Sequence, residues 1–327
     1  MNLFNRQAYH VLFDSDEYRY SLRGLGILFV VYMGALAFSA LISPWVYQFV
    51  QVLNNHFEAE LWNYLAHKSY PDFFDRLRWP FVLIGLPWMF LQCRLVTARR
   101  IGFKAERPWH FYFVRFFSFG VISLLIVVVL QVGLGHTVGK EALPFTKIAS
   151  RVISGIIAAC LIAILEETVF RGLIFRMFYT AVQPVPAIIL ASLFFAYTHF
   201  KMPDELWTVT DPAQVGFTSG WYVAWWTLAG IFKQFHLLLF VNLTLIGYIL
   251  IGVFIRTRSL WACIGLHAGW VSLALTYKKL FRITAESVHP FWGSNALADG
   301  WLTTLLLIAV ACWVTFLYRP RKRTIYE

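Results

Sequence analysis

Residues Ile148–Tyr179 read IASRVISGIIAACLIAILEETVFRGLIFRMFY, a membrane-length apolar run with Glu166, Glu167 and Arg171 set inside it. An ionised carboxylate in hydrocarbon costs at least a few kcal/mol, so residues placed this way need partners and are functional candidates by default. Of the 17 acidic residues in the chain, only these two fall well inside an apolar span.

The surrounding composition gives the run its meaning. Hydrophobic residues make up 59% of the chain and charged residues 14%, against about a quarter charged in a soluble domain. Phe and Trp are abundant, as expected of a lipid-facing surface with interfacial belts. The formal charge of +11 does not imply nucleic acid as a partner. The basic residues collect between apolar runs, at Arg99, Arg100, Lys104 and Arg107, at Arg256 and Arg258, and at Arg319, Arg321, Lys322 and Arg323. That is the positive-inside pattern of a membrane protein. Cys93, Cys160, Cys263 and Cys312 have no paired spacing and read as small buried hydrophobes. The first twenty or so residues are polar, with no cleavage site after the first apolar run, so that run is expected to stay as an anchor.

The expected architecture is an all-α polytopic membrane protein with about eight spans of roughly 20 residues. They cover Leu25–Val50, Pro80–Val96, Phe111–Val132, Ile148–Tyr179, Val185–Phe200, His236–Ile255, Leu260–Tyr277 and Trp301–Tyr318. Residues 1–147 form an N-terminal membrane region of three spans, 148–280 a core, and 281–327 a last span with a basic tail. With both termini cytoplasmic, the outer loops hold Glu58, Glu60, Asp72, Asp75, Glu141, Asp204, Glu205, Asp211, Glu286 and Asp299. Lys278, Lys279 and Arg282 fall on the wrong side of that scheme. The expected location is the plasma membrane of a prokaryote, with lipid as surroundings. GWYVAWWTLAGIF, Gly220–Phe232, reads as a re-entrant or interfacial helix of about a dozen residues, an aromatic belt or a lid.

Helical geometry sorts the embedded charges. Residues four apart share a face, so Glu167 and Arg171 form an ion pair in the favourable order. Glu166 points about 100° away, toward Phe170, and is left for general-base work on water. Few polar residues on other spans are available as its partners. His199 ends the fifth span, and His267 lies within the seventh. Counted along each helix from the turn at Gln183, Glu166 and His199 both sit about 25 Å away and can meet at one depth. Counted from Thr257, His267 is only about 15 Å away, so agreement needs tilt, an irregular turn or a deeper-set loop.

Glu166-Glu167-Thr168-Val169-Phe170-Arg171 resembles the EExxxR motif of the CPBP family, the CAAX proteases and bacteriocin-processing enzymes. Phe195-Ala196-Tyr197-Thr198-His199 is similar to the family's FxxxH motif, and Arg256–Trp261 leading into His267 to its third. The motifs come in the family's order over about 148–277. The resemblance implies an intramembrane endopeptidase of the type II CAAX prenyl endopeptidase kind, with a helical core around a cavity in the membrane. It implies water activated by Glu166 and His199, His267 at the oxyanion, structural support from Glu167 and Arg171, and Phe195 in the cavity wall. The substrate would be a membrane-delivered peptide or protein.

Val271 stands four residues after His267, where the prenyl proteases carry Asn. Valine cannot donate a hydrogen bond, which leaves Asn242 and Ser272 as candidate second donors; losing one such donor typically costs about 10²–10³ in rate. Glu166, His199 and His267 are also a conceivable Zn²⁺ ligand set. Without a compact HExxH arrangement, the sequence favours a metal-free glutamate–water mechanism. Two further readings fit embedded Glu, His and Arg: an ion- or proton-coupled transporter, and a catalytically idle immunity or scaffold protein.

Overall fold

The computed structural model describes residues 18–317, apart from 58, 96, 105, 141, 142, 234 and 285–289. Glu58, Glu141, Glu286 and the basic residues Arg319, Arg321, Lys322 and Arg323 lie outside the described residues. The elements, in chain order, are α1 (Tyr18–His56), α2 (Glu60–Ala66), α3 (Tyr70–Gln92), α4 (Ala98–Ile101), α5 (Trp109–Gly133), β1 (Thr137–Gly139) and α6 (Phe145–Val169). A π-helical turn (Phe170–Ile174) carries α6 into α7 (Phe175–Ala181). Then come α8 (Pro184–Thr198), α9 (Phe217–Lys233), α10 (Leu237–Thr257), α11 (Leu260–Leu280), β2 (Phe281–Ile283) and α12 (Trp301–Cys312).

Among the described residues, five helical stretches are long and apolar enough to cross a membrane: Arg19–His56, Trp109–Gly133, Phe145–Ala181, Leu237–Thr257 and Leu260–Leu280. The fold is a mostly helical, multi-pass membrane protein, but eight spans is a correction to make. The helix expected at Pro80–Val96 begins at Tyr70, takes in Asp72, Asp75, Arg76 and Arg78, and holds Pro80 and Pro87 in its interior. Pro184–Thr198 and Trp301–Phe316 are apolar but short. α9 runs 17 residues, longer than the aromatic stretch alone suggests. None of the four cysteines is in a disulfide; Cys263 is buried, Cys93 and Cys160 are half-buried and Cys312 is exposed.

The chain divides into two compact units. One comprises Met1–Ser21, Leu95–Ala196 and His236–Glu327; the other comprises Leu22–Arg94 and Tyr197–Phe235. In the second, α1, α3 and α9 bury Tyr47, Tyr70, Phe73, Phe74 and Val223. Lys201 reaches Asp75 Oδ2 at 3.2 Å there, and the Tyr197 hydroxyl donates to Leu228 O at 3.1 Å.

The first unit is built around α11, which packs against α5 on one side and α6 on the other. The sequence makes this close approach possible through glycine. A Cβ at Gly265 would stand 2.5 Å from Phe113 O, and one at Gly269 would stand 2.4 Å from Phe117 O and 3.1 Å from the Gly120 Cα. Small residues four apart let backbones approach in this way where lipid supplies no hydrophobic drive. Partner numbers rise together along α5 and α11, so these helices run parallel. The short antiparallel pairing of β1 with β2, in which Val138 faces Arg282, ties their exits together.

α6 runs antiparallel to α11. Gly155 lies by Thr276 near one end, and Gly172, in the π-turn, lies by Leu260 near the other. The loop 290–300 is pinned to the bundle by Gln131 Nε2 donating to Trp292 O and Asn242 Nδ2 donating to Ala298 O, at 2.7 and 2.8 Å.

The packing argument yields a contrast. Gly269→Ala forces backbone apart and is expected to destabilise the protein by about 1–3 kcal/mol. Gly133→Ala, where a Cβ meets nothing within 4 Å, should shift stability by about 0.5 kcal/mol at most. Unfolding midpoints of the two variants in detergent check this.

Candidate active site

α6 and the π-turn that continues it deliver Glu167 and Arg171 to the same side of the bundle, as expected of residues four apart on a helix. Arg171 Nη1 donates to Glu167 Oε1 at 2.8 Å, and both side chains are fully buried. The same oxygen is also bound by His267 Nδ1, 2.7 Å away on α11. An ionised carboxylate only accepts, so Nδ1 carries the hydrogen and Nε2 is the nitrogen left for other contacts.

The depth question posed by His267 resolves through the turn after α10. Gly172 packs against Leu260, so α6 and its continuation extend well past the level of that turn. Glu167 lies five residues before Gly172 and His267 seven after Leu260, rises of about 7.5 and 10.5 Å. The turn is set deep relative to the long helix, and the two side chains meet.

Aromatic rings wall the cluster. The Arg171 guanidinium lies over Phe195 of α8 at 4.6 Å from the ring centroid. Phe195 meets His267 edge-on at 6.1 Å and Phe170 edge-on at 5.0 Å. Low-polarity walls strengthen the charge pairing within them. Arg171 Nη2 also reaches Gly247 O of α10, at 3.4 Å. Oε2 of Glu167 and Nε of Arg171 are buried with no hydrogen-bond partner among the described residues. Under-satisfied buried groups of this kind recur at functional sites.

Of the residues expected to form a site, Glu167, Arg171, Phe195 and His267 are therefore gathered. Glu166 is the neighbour of Glu167 on the chain, and its Oε2 is shielded from solvent. His199 follows α8 directly, four residues beyond Phe195, and is counted with the second unit. Neither replacement donor is available. The Asn242 amide donates to Ala298 O and Gly300 O, and the Ser272 hydroxyl to Gly269 O.

Three features escape a reading by motif: the His267–Glu167 bond, the Gly247 carbonyl and the π-turn. The last begins three residues after Glu167, and such turns appear frequently at functional sites. Gly265-x-x-x-Gly269 brackets His267 and was a legible signal for a tight helix contact at that histidine. Among the described residues, no three His, Cys, Asp or Glu side chains gather to hold a metal ion.

Removing one member of a buried ion pair strands the other's charge. Arg171→Met should destabilise by about 3–5 kcal/mol, and adding Glu167→Gln to it should recover a large part of that loss. Denaturant titration in detergent measures both.

Comparison with known proteins follows the same segment. Residues 148–273 match a family model described as Rce1-like, Type II CAAX prenyl endopeptidase Rce1-like. No curated protein and no solved structure matches the chain. A CPBP/Rce1-like domain of the CAAX-protease kind is thus present over 148–273, the part of the chain that carries Glu166, Glu167, Arg171, Phe195, His199 and His267.

Proposed function

We propose that the protein is an intramembrane endopeptidase acting on membrane-delivered peptides or protein tails. The observation that carries this reading is the buried Glu167 carboxylate shared by Arg171 and His267, next to a second glutamate in the same Rce1-like domain. In this reading Glu166, helped by His199, takes a proton from water as its oxygen attacks the scissile carbonyl. His267, its Nδ1–H held by Glu167, offers Nε2 toward the oxygen on which negative charge develops. The tetrahedral intermediate collapses with cleavage of the C–N bond. The proton held by Glu166 passes to the departing amine, leaving a new carboxylate and a new N-terminus.

Phe195 and Phe170 keep bulk water from the ion pair, and Arg171 fixes the carboxylate that orients His267. A helical core around a cavity, the architecture implied by the family resemblance, and a prenylated tail as substrate, suggested by a family description that names a prenyl endopeptidase, both belong to this proposal. No zinc is invoked in it.

One observation favours a second reading. Val271 removes a donor, and Asn242 and Ser272 spend theirs elsewhere. A catalytically idle relative that scaffolds a partner fits those facts.

Terminal-peptide mass spectrometry of membranes carrying the intact protein or Glu166→Gln separates the two. The endopeptidase reading expects new N-termini that vanish with the substitution, and a rate loss of about 10²–10⁴ on any purified substrate so found. Cleavage at the wild-type rate by Glu166→Gln would refute it, and identical sets of termini would favour the scaffold.

A further inference from the structure

Far from the buried carboxylate, the other end of the first unit gathers cations from α6, α11 and the β1–β2 pairing. The segments 136–151 and 276–287 contain Lys140, Lys147, Arg151, Lys278, Lys279 and Arg282 against only Glu141 and Glu286. The parallel run of α5 and α11 and the antiparallel run of α6 place the six cations at one end. Direct contacts then draw the charges together. Arg151 Nη1 donates to Lys279 O at 2.9 Å, Lys279 Nζ to Ser154 Oγ at 2.9 Å, and Lys140 Nζ to Lys278 O at 2.9 Å. Arg282 is held opposite Val138 by the strand pairing.

This arrangement is unfavourable as it stands. Like charges are brought close, and Lys147 and Arg151, four apart, lie in the first turns of α6, where the helix dipole disfavours cations. α6 has neither an acid in its first turn nor a capping side-chain bond. No salt bridge involves any of the six cations among the described residues. An external anion would relieve all three costs.

Directly along the same helix, Ile153, Ile157 and Leu161 repeat every four residues with exposed side chains, and Phe145 is exposed at its start. Cations above an exposed apolar stripe match a molecule with an anionic head and hydrocarbon tails. We infer that this end of the bundle is a binding site for the phosphate of an anionic phospholipid, whose acyl chains run down the Ile153–Ile157–Leu161 face of α6. The site lies about 24 Å along α6 from Glu167, so it is separate from the proposed chemistry and does not depend on it. Lys278, Lys279 and Arg282, anomalous under a loop-charge scheme, have a use here.

The test titrates the purified full chain in neutral detergent with phosphatidylglycerol or phosphatidylcholine and counts bound lipid by native mass spectrometry. Phosphatidylglycerol should be retained in preference. Lys147→Gln with Lys278→Gln, exposed side chains with no hydrogen bond to lose, should weaken it by about fivefold per cation removed while phosphatidylcholine is unaffected. Arg151→Gln with Lys279→Gln should do the same, with helical content by circular dichroism as the folding check. Lys104→Gln with Arg258→Gln, at the opposite end, should leave retention intact. Equal affinity for both lipids, unchanged retention in the first pair, or equal loss in the opposite-end pair would overturn the site. Displacement of phosphatidylglycerol by inorganic phosphate alone would overturn the assignment to a lipid.

Discussion

One carboxylate oxygen, Oε1 of Glu167, holds Arg171 at 2.8 Å and His267 at 2.7 Å where no bulk water reaches. Its burial makes the arrangement strict. Charges in such a place persist only when paired with good geometry, because desolvation outweighs a loose attraction. The pair therefore fixes α6 against α11, and through the Gly247 carbonyl it reaches α10 as well. A helix bundle whose outer surface is indifferent to lipid gains register from a few polar contacts of this kind.

The contact is possible only because α11 is thin where it counts. Gly265 and Gly269 bring its backbone against Phe113, Phe117 and Gly120 of α5. His267 lies between those glycines in the chain and projects toward α6. Glycine on one face and a charged bond on another thus act on one turn of helix. Aromatic rings from α8 and the π-turn enclose the rest, so the polar centre is bounded by Phe170 and Phe195. The same logic explains why Asn242 serves the 290–300 loop: a buried amide takes the carbonyls nearest to it, here Ala298 and Gly300.

How much of this was legible in the chain follows from the range of each interaction. The Glu167–Arg171 pair is local, and helical periodicity alone places it. The partner of His267 was not legible. It depends on how far α6 runs past the α10–α11 turn, which is set by Gly172 meeting Leu260, long-range in sequence. Apolar runs were found in the right places, but not every run has the length or purity of a span. α3 takes in Asp72 and Asp75 at its start, and the apolar helix Trp301–Phe316 is short. β1 and β2 have three residues each, too few to show alternation. The basic end was visible only as an irregularity in loop charge until α5, α6 and α11 brought its two segments together.

The central claim is that Glu167 and His267 are energetically coupled rather than merely adjacent. A double-mutant cycle with Glu167→Gln and His267→Gln, read by unfolding in detergent, measures that coupling directly. The account predicts an interaction energy of about 1–3 kcal/mol, while additivity within about 0.5 kcal/mol would contradict it.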